Sequence, residues 1–571
     1  MLTCCFVTIK ELLAQAVQRR GDAVALRYKS QDRWHTLSFH EFLAKVWRAA
    51  ELLAKLGVKP GDRVALLGEN SPEWAETYFG IAGLAAIAVP VDAKLREQEV
   101  AHVLRDSAAL VLVAGAKSYP LLREIESHLP DLRHIVLTDG RGILSAGSRG
   151  IRYWDYDALM EEVAETAASV RRAYDRQQPK DDDVASFIYT SGTTGRQKGA
   201  MLTHRNFVTN VESCQNAIHI RETDSFLLVL PLHHAFAFTT DLLLPIRAGA
   251  EISFVENLRT IGENMREISP TVLIGVPLLI EKMYNRISNA LKENKLGYSL
   301  FTLGIRKPVI RGLAQKLGGR LRMVITGGAP CDPDLLADVS QLGIDILEGY
   351  GLTETAPVLT LNPPERAKLG TVGVPLPDVE IAIMDKDADG CGEIAARGPN
   401  VMKGYYNNAE ATKAVFRDGW FLTGDLGFID GDGYVTITGR KKSLIVNREG
   451  KNIHPEEVEH QLRKSPYIRE ALVLGYRETG EKVGEHVGVI VVPDQEAIDA
   501  RSQREKAPLS ESEINDLIRK EVKRLSSEIA EYKRPRRIQI RWEEFDKTST
   551  GKVKRYLYAL TAADMTYSGD K

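Results

Sequence analysis

Cysteine is scarce in this 571-residue chain: Cys4, Cys5, Cys214, Cys331 and Cys391 are the full set, with no C-x-x-C or Cys/His metal spacing among them. That excludes a disulfide framework and a thiolate zinc centre, and points to a reduced compartment. Charge of one sign is lacking too. Lys and Arg number 75 against 77 Asp and Glu, a formal net charge of −2, which gives no global reason to expect nucleic acid or a membrane as partner. No apolar run reaches the roughly 20 residues of a spanning helix; the longest, Ile81 to Val91, is broken by Pro90. The segment Met1 to Val7 lacks the charged and apolar regions of a secretion signal. Its Cys4-Cys5 pair suits either acylation or two ordinary thiols in a frayed terminus, and nothing nearby supports anchoring. The cytoplasm is the expected location. Internal repeats and low-complexity tracts are absent as well.

At this length a single core stops growing, so two or more domains are expected. The first half alternates helix and strand. Ile9, Leu12, Leu13, Ala16 and Val17 fall at helical spacing, with Gly21 where a C-cap stands. Ser38 and Glu41 form a capping-box pattern ahead of Phe42, Leu43, Val46, Trp47 and Ala50. Leu56 to Gly61 reads as a turn, Val64 to Leu67 as a strand, and Ser71-Pro72 as a helix start, cap then proline. Short, wholly apolar strands between helices imply an α/β fold with parallel sheets covered on both faces. Further along, Asp430-Gly431-Asp432-Gly433-Tyr434 reads as a hairpin turn. A helix opened by Pro455-Glu456-Glu457, strands Ala471 to Leu474 and Val487 to Val492, and a helix near 511–530 suffice for a small α+β domain. The expected division is a large N-terminal domain, 1–439, and a small C-terminal domain, 440–571.

The strongest local signal follows the strand Val184 to Tyr189. Thr190, Ser191, Gly192, Thr193, Thr194, Gly195, Arg196, Gln197, Lys198 and Gly199 supply three glycines, four hydroxyls and one lysine. Glycines let backbone N–H groups turn inward, hydroxyls donate to phosphate oxygens, and Lys198 offers a point charge. A flexible surface loop is the alternative, but a loop following an apolar strand sits where α/β folds bind ligands. Walker A spacing is missing, so P-loop kinase chemistry is disfavoured.

This loop resembles the signature of the adenylate-forming superfamily of acyl-CoA synthetases, luciferases and nonribosomal adenylation domains. The resemblance continues in order along nearly the whole chain: Pro231-Leu232-His233-His234-Ala235-Phe236, Gly327-Gly328-Ala329-Pro330 after the strand Met323 to Thr326, and Glu348-Gly349-Tyr350-Gly351-Leu352-Thr353-Glu354-Thr355. Then come Thr423-Gly424-Asp425, Gly439-Arg440, Gly450-Lys451-Asn452-Ile453 and Thr548-Ser549-Thr550-Gly551-Lys552. Each alone is weak; seven in the family's order are specific.

The resemblance implies roles that the residue types fit. ATP would lie on the Thr190–Lys198 loop. Asp425, read as a carboxylate on a Gly-flanked turn, would take the ribose hydroxyls with Arg440 assisting. Tyr350, between Gly349 and Gly351, would stack on adenine opposite the Gly328-Ala329 backbone. Thr353 would give a hydroxyl to phosphate, and Glu354 would hold Mg²⁺. His234 would orient the substrate carboxylate, Phe236 would line the acyl pocket, and His233 reads as structural. Lys552 would bridge carboxylate and α-phosphate, stabilising an anion-on-anion attack. The small domain would then rotate about Lys442, removing Lys552 and bringing the Gly450 loop to line the coenzyme A path, a domain alternation. One departure stands out: the lysine some members carry past the hinge is replaced by the stretch Leu444-Ile445-Val446-Asn447.

The nonribosomal adenylation domains of the resembled superfamily place an aspartate near the position of His234 to bind the substrate's amino group; the stretch 231–240 holds no acid here, so by that resemblance amino acids are disfavoured. The stretch Val276 to Arg286 resembles long-chain fatty acyl-CoA synthetases. The segment after it carries Arg306, Lys307, Arg311, Lys316 and Arg320, a solvated basic face or a peripheral contact with anionic lipid. Lys533, Arg534, Arg536 and Arg537 are likewise solvated or near the CoA phosphates. The favoured expectation is a long-chain fatty acid–CoA ligase using ATP, Mg²⁺ and coenzyme A. An acyl–acyl-carrier-protein ligase and an idle acyl-adenylate binder remain as alternatives.

Overall fold

Helix starts follow the capping signals. In the computed structural model, which describes residues 8–140, 147–165, 172–191, 197–293, 312, 314–449, 451–478, 484–547, 553–560 and 566–567, Thr8 caps the helix Ile9–Arg20. Both bonds of the Ser38/Glu41 capping box open Phe39–Lys55, and the Ser71 hydroxyl accepts from Trp74 N to start Pro72–Gly83. Gly21 stands at the expected C-cap but in right-handed conformation (φ −43°, ψ −44°). A Cβ there would lie 2.1 Å from His40 Cε1, but the His40 side chain is exposed and can turn aside, so space alone does not demand glycine.

The chain forms two compact units. The first comprises Met1–Ile381, Ala396–Phe421 and Gly431–Val435; the second comprises Ala382–Ala395, Leu422–Asp430 and Thr436–Lys571. Two sheets organise the first unit. One orders Arg152–Asp155, His134–Thr138, Val111–Gly115, Arg63–Leu67, Ile87–Val91, Val184–Ser191 and Gln197–Thr203, parallel except for the last pair. The other has nine strands, with a parallel centre running through Val24–Ser30, Glu251–Phe254, Ser225–Leu228, Val272–Gly275, Met323–Thr326 and Asp345–Gly351. Its margins are antiparallel. The fully buried strands Val272–Gly275 and Ser225–Leu228 account for the wholly apolar runs in the sequence.

Between 380 and 440 the chain forms a third, five-stranded sheet, including the antiparallel pair Phe416–Arg417 and Trp420–Ile429. The sequence reading found only its last hairpin, where Gly433 takes φ +84° between Trp420–Ile429 and Val435–Arg440. In the second unit, Ile468–Tyr476 pairs antiparallel with His486–Pro493, which runs parallel to Arg537–Ile540. Val458 and Leu462 of Pro455–Leu462, and Ile518 and Val522 of Glu511–Ser526, share a core with Val473 and Val489. The fold is thus a large N-terminal portion of parallel-rich sheets and helices, with a smaller C-terminal α+β portion, as expected. Cys214 and Cys331 are buried free thiols and Cys391 is a partly buried one. Among the described residues no helix is long and apolar enough to cross a membrane.

Candidate functional site

The phosphate segment is a hairpin rather than a long loop after one strand. Thr190 and Ser191 end the first strand, while Lys198 and Gly199 lie on the second, with Thr190 paired to Lys198 and Ser191 to Gln197. Residues Gly192, Thr193, Thr194 and Gly195 lie outside the described residues, as do Gly450, Lys552, Cys4, Cys5, Arg306, Lys307 and Arg311. The strand pairing sets Lys198 on the second strand, directly opposite Thr190.

A residue not read from the sequence joins this hairpin to the acidic turn. Met201 N donates to Gly404 O (2.9 Å) and Tyr406 N to Gly199 O (2.8 Å), holding 404–406 against the hairpin. Lys198 Nζ lies 5.3 Å from the Tyr405 ring centroid, a cation–π distance. The Tyr405 hydroxyl donates to Glu354 Oε1 at 2.7 Å, both groups being buried. Burial, and then the Glu354 charge, push the Tyr405 phenol well above its ordinary range, so it stays a donor at physiological pH. The Lys198, Tyr405 and Glu354 side chains therefore form one continuous cation–phenol–carboxylate array. The only local cue was the Gly404-Tyr405-Tyr406 sequence, which by itself reads as an ordinary aromatic pair.

Glu354 sits in the single-turn helix Thr353–Thr355, directly after the strand Asp345–Gly351 that carries Gly349, Tyr350 and Gly351. Main-chain bonds lock this turn. Met402 N donates to Glu354 O (2.9 Å), and the Thr355 hydroxyl accepts from Leu352 N (3.1 Å) and donates to Pro357 O. The glycines around Tyr350 serve close packing rather than exposure of its ring: a Cβ at Gly351 would stand 1.9 Å from Pro357 O, and one at Gly349 3.0 Å from Leu361 Cδ1. Tyr350 itself is mostly buried. Gly328 differs, with φ +79° and nothing within 4 Å of a Cβ, so its backbone faces open space beside Ala329. Phe236 reaches this strip, its Cζ 3.5 Å from a Cβ at Gly327, and is half-buried.

His234 precedes the short helix Ala235–Ala237. Its Nε2 lies 3.1 Å from His233 Nε2, which in turn is 3.5 Å from Asp92 Oδ2. His233, read from the sequence as structural, is thus part of a polar cluster. Asn70 braces the approach, donating to Leu230 O and accepting from Leu232 N, both at 2.8 Å. Asp241, one residue past the acid-free stretch, is fully buried with neither carboxylate oxygen hydrogen-bonded among the described residues. Burial holds its carboxyl well above the usual carboxylate range, which disfavours the charged form that an ammonium would need.

In the second unit, Asp425 lies within the strand Trp420–Ile429 rather than on a turn. Gly424, with φ +73°, interrupts that strand. Arg440 Nε meets buried Asp425 Oδ1 at 2.8 Å. Beside them Lys441 Nζ pairs with buried Glu393 at 2.6 Å, and Gly424 N donates to Glu393 Oε1. Lys442 follows on an exposed turn, Lys441–Ser443. In the departing stretch, Ile445 is core and Asn447 Oδ1 accepts from Glu449 N and Lys451 N. Lys547 and Val553, on either side of the last motif, are paired as an antiparallel bridge. Of the basic run, Lys533 pairs with Glu457, Arg534 donates to Ser527 O and Ile529 O, and Arg537 pairs with Glu478. Those three are committed within the protein.

Comparison with known proteins matches this arrangement to two families: "AMP-binding enzyme" over residues 13–406 and "AMP-binding enzyme C-terminal domain" over residues 457–552. The chain is 33% identical to the long-chain-fatty-acid–CoA ligase FadD15 of Mycobacterium bovis over 503 residues, 82% of this chain and 79% of the relative. It is also 30% identical to an oxalate–CoA ligase of Arabidopsis thaliana over 565 residues, 97% of this chain and 98% of the other. Among solved structures, the o-succinylbenzoate–CoA synthetase of Bacillus subtilis in complex with ATP and magnesium ion superposes with a TM-score of 0.71 at 25% identity. That match covers 95% of this chain and 98% of the other.

Proposed function

The chain belongs to the AMP-binding enzyme family, and on that basis we propose that it is an AMP-forming acid–thiol ligase acting on a fatty acid, with coenzyme A as acceptor. In the first step a carboxylate oxygen attacks the α-phosphorus of ATP and the bond to pyrophosphate breaks, giving acyl-AMP. In the second the thiol sulfur attacks the acyl carbon, AMP leaves and the thiol proton passes to solvent. The observation that carries the reading is the array of Lys198, Tyr405 and Glu354 at the hairpin. It holds a cation and an oriented carboxylate on one phenol beside the strands of that hairpin.

Lys198 would face the phosphates, with the Thr190, Ser191, Thr193 and Thr194 hydroxyls and the Gly192 and Gly195 backbone around it. Glu354 suits Mg²⁺: its Oε1 is taken by Tyr405, its Oε2 makes no hydrogen bond among the described residues, and hard oxygen donors are what this ion binds. The ion would neutralise phosphate charge. Thr353 would add a hydroxyl there, and Gly349, Tyr350, Gly351, Gly328 and Ala329 would flank the base. Asp425 would accept the ribose hydroxyls, held in place by its ion pair with Arg440. His234 would orient the substrate carboxylate and Phe236 would line the acyl chain. Lys552 would stabilise the transition state of the first step and leave for the second by rotation of a C-terminal domain about Lys442, with Gly450 on the coenzyme A path.

A fatty acid is favoured by the similarity to a long-chain ligase and by the absence of any acid in the stretch 231–240. The similarity to an oxalate ligase is the observation on the other side. Pyrophosphate release over saturated acids of graded length, with and without coenzyme A, tests the proposal. Turnover peaking at medium or long chains and dependent on coenzyme A is expected. A peak at oxalate, acetate or aryl acids would overturn the substrate, and turnover with an acyl carrier protein alone would overturn the acceptor.

A further inference from the structure

We propose that Asp92, His233 and His234 form a binding site for a first-row transition-metal dication such as Zn²⁺ or Co²⁺, separate from the Mg²⁺ ligand Glu354. One ligand atom from each of the three residues lies within 4.8 Å of the others. His233 Nε2 is the shared vertex, 3.1 Å from His234 Nε2 and 3.5 Å from Asp92 Oδ2. A tetrahedral zinc-like ion with bonds of about 2.0–2.1 Å needs its donors about 3.3–3.4 Å apart; the two edges at His233 bracket that requirement, and the third, Asp92 to His234, is at most 4.8 Å and would shorten on binding.

The cluster is also built rather than incidental. Asp92 directly follows the parallel strand Ile87–Val91, and its Oδ1 accepts from Lys94 N at 2.8 Å, which turns Oδ2 to the histidines. The histidines stand on a backbone pinned by Asn70 and by His234 N donating to Pro231 O. His233 is buried and Asp92 nearly so. The two Nε2 atoms face each other at hydrogen-bond distance, so one donates and the other accepts; a dication bound through both Nε2 lone pairs would leave each ring proton on Nδ1. Two nitrogens and one carboxylate select N-preferring dications over Mg²⁺, which demands oxygen. Binding would occupy His234 Nε2 and so compete with the acid; that consequence rests on the role proposed for His234, whereas binding itself does not.

The test is titration of the untagged full chain with Co²⁺ in the absence of acid and nucleotide, followed by visible ligand-field absorption. A saturable signal at one equivalent, displaced by Zn²⁺ and indifferent to excess Mg²⁺, is expected. Asp92→Asn, which preserves shape, and His233→Gln should each weaken Co²⁺ binding by at least about tenfold while retaining the wild-type thermal midpoint. No saturable absorption, or titrations unchanged in both variants, would overturn the site. Stoichiometric binding that leaves acid-dependent pyrophosphate exchange unaffected would uphold the site and remove the role given to His234.

Discussion

Tyr405→Phe isolates one hydroxyl at the centre of the candidate site. The ring stays, so its packing beside Lys198 stays, and only the 2.7 Å bond to Glu354 is lost. A hydrogen bond to a charged group contributes about 1.5–3 kcal/mol, and both partners here are buried, which places the cost in that range rather than near zero. Solvent cannot readily replace the missing donor. The carboxylate then loses the restraint that aims Oε2, and loss of such an outer partner typically costs about 10–100-fold in metal affinity. The assay is acid-dependent ATP–pyrophosphate exchange as a function of Mg²⁺ concentration. Half-saturation should rise by about 10- to 100-fold, with activity recovering at high Mg²⁺. A Mg²⁺ profile unchanged within about twofold, or a loss that added Mg²⁺ does not recover, would refute the orienting role; a twofold change is only about 0.4 kcal/mol, well below the range above.

Gly351→Ala should lower the thermal midpoint by several degrees or abolish soluble expression, because its Cβ would meet Pro357 O at 1.9 Å, an overpacking cost of at least about 1–3 kcal/mol. Gly431→Ala, with nothing within 4 Å of the new Cβ, should leave the midpoint unchanged. Buried His204 accepts from Ile9 N through Nδ1 (3.2 Å), and burial pushes its pKa from 6.5 down to about 4. The unfolded chain therefore binds the proton first as pH falls, and about 3 kcal/mol of stability is lost between pH 6.5 and 4. In His204→Asn the urea midpoint should fall less steeply across that window; an unchanged slope would contradict the assignment. Lys552→Ala should slow adenylation by about 10²–10³-fold while still forming thioester from supplied acyl-AMP, and equal loss of both steps would contradict a rotating lysine.

Local signals carried most of the fold. Ser38, Glu41 and Ser71 act through side-chain bonds to amides three residues away, so their meaning is contained in the sequence window that displays them. The parallel sheets were legible for a similar reason, since strands buried on both faces must be wholly apolar. What escaped depends on distant neighbours. Gly351 looks like a conformational glycine, yet its role is set by the Pro357 backbone pressing on it. Asp425 reads as a turn residue because Thr-Gly-Asp has turn composition, whereas the surrounding residues of Trp420–Ile429 alternate buried and partly exposed as a strand requires. Tyr405 and Asp92 were missed because their chemistry exists only after Glu354 and His233, 51 and 141 residues away, have been brought to them. Conversely, Glu354, Lys198 and Arg440 were found because their motifs surround them in the chain.

The central claim is carboxylate activation by adenylation, and exchange of labelled pyrophosphate into ATP measures it most directly. The purified chain should incorporate label only when a suitable carboxylic acid is present, with no thiol required, and single turnovers should yield AMP and pyrophosphate. Exchange that ignores the acid, formation of ADP and phosphate, or no exchange over saturated acids from short to long chain would contradict it.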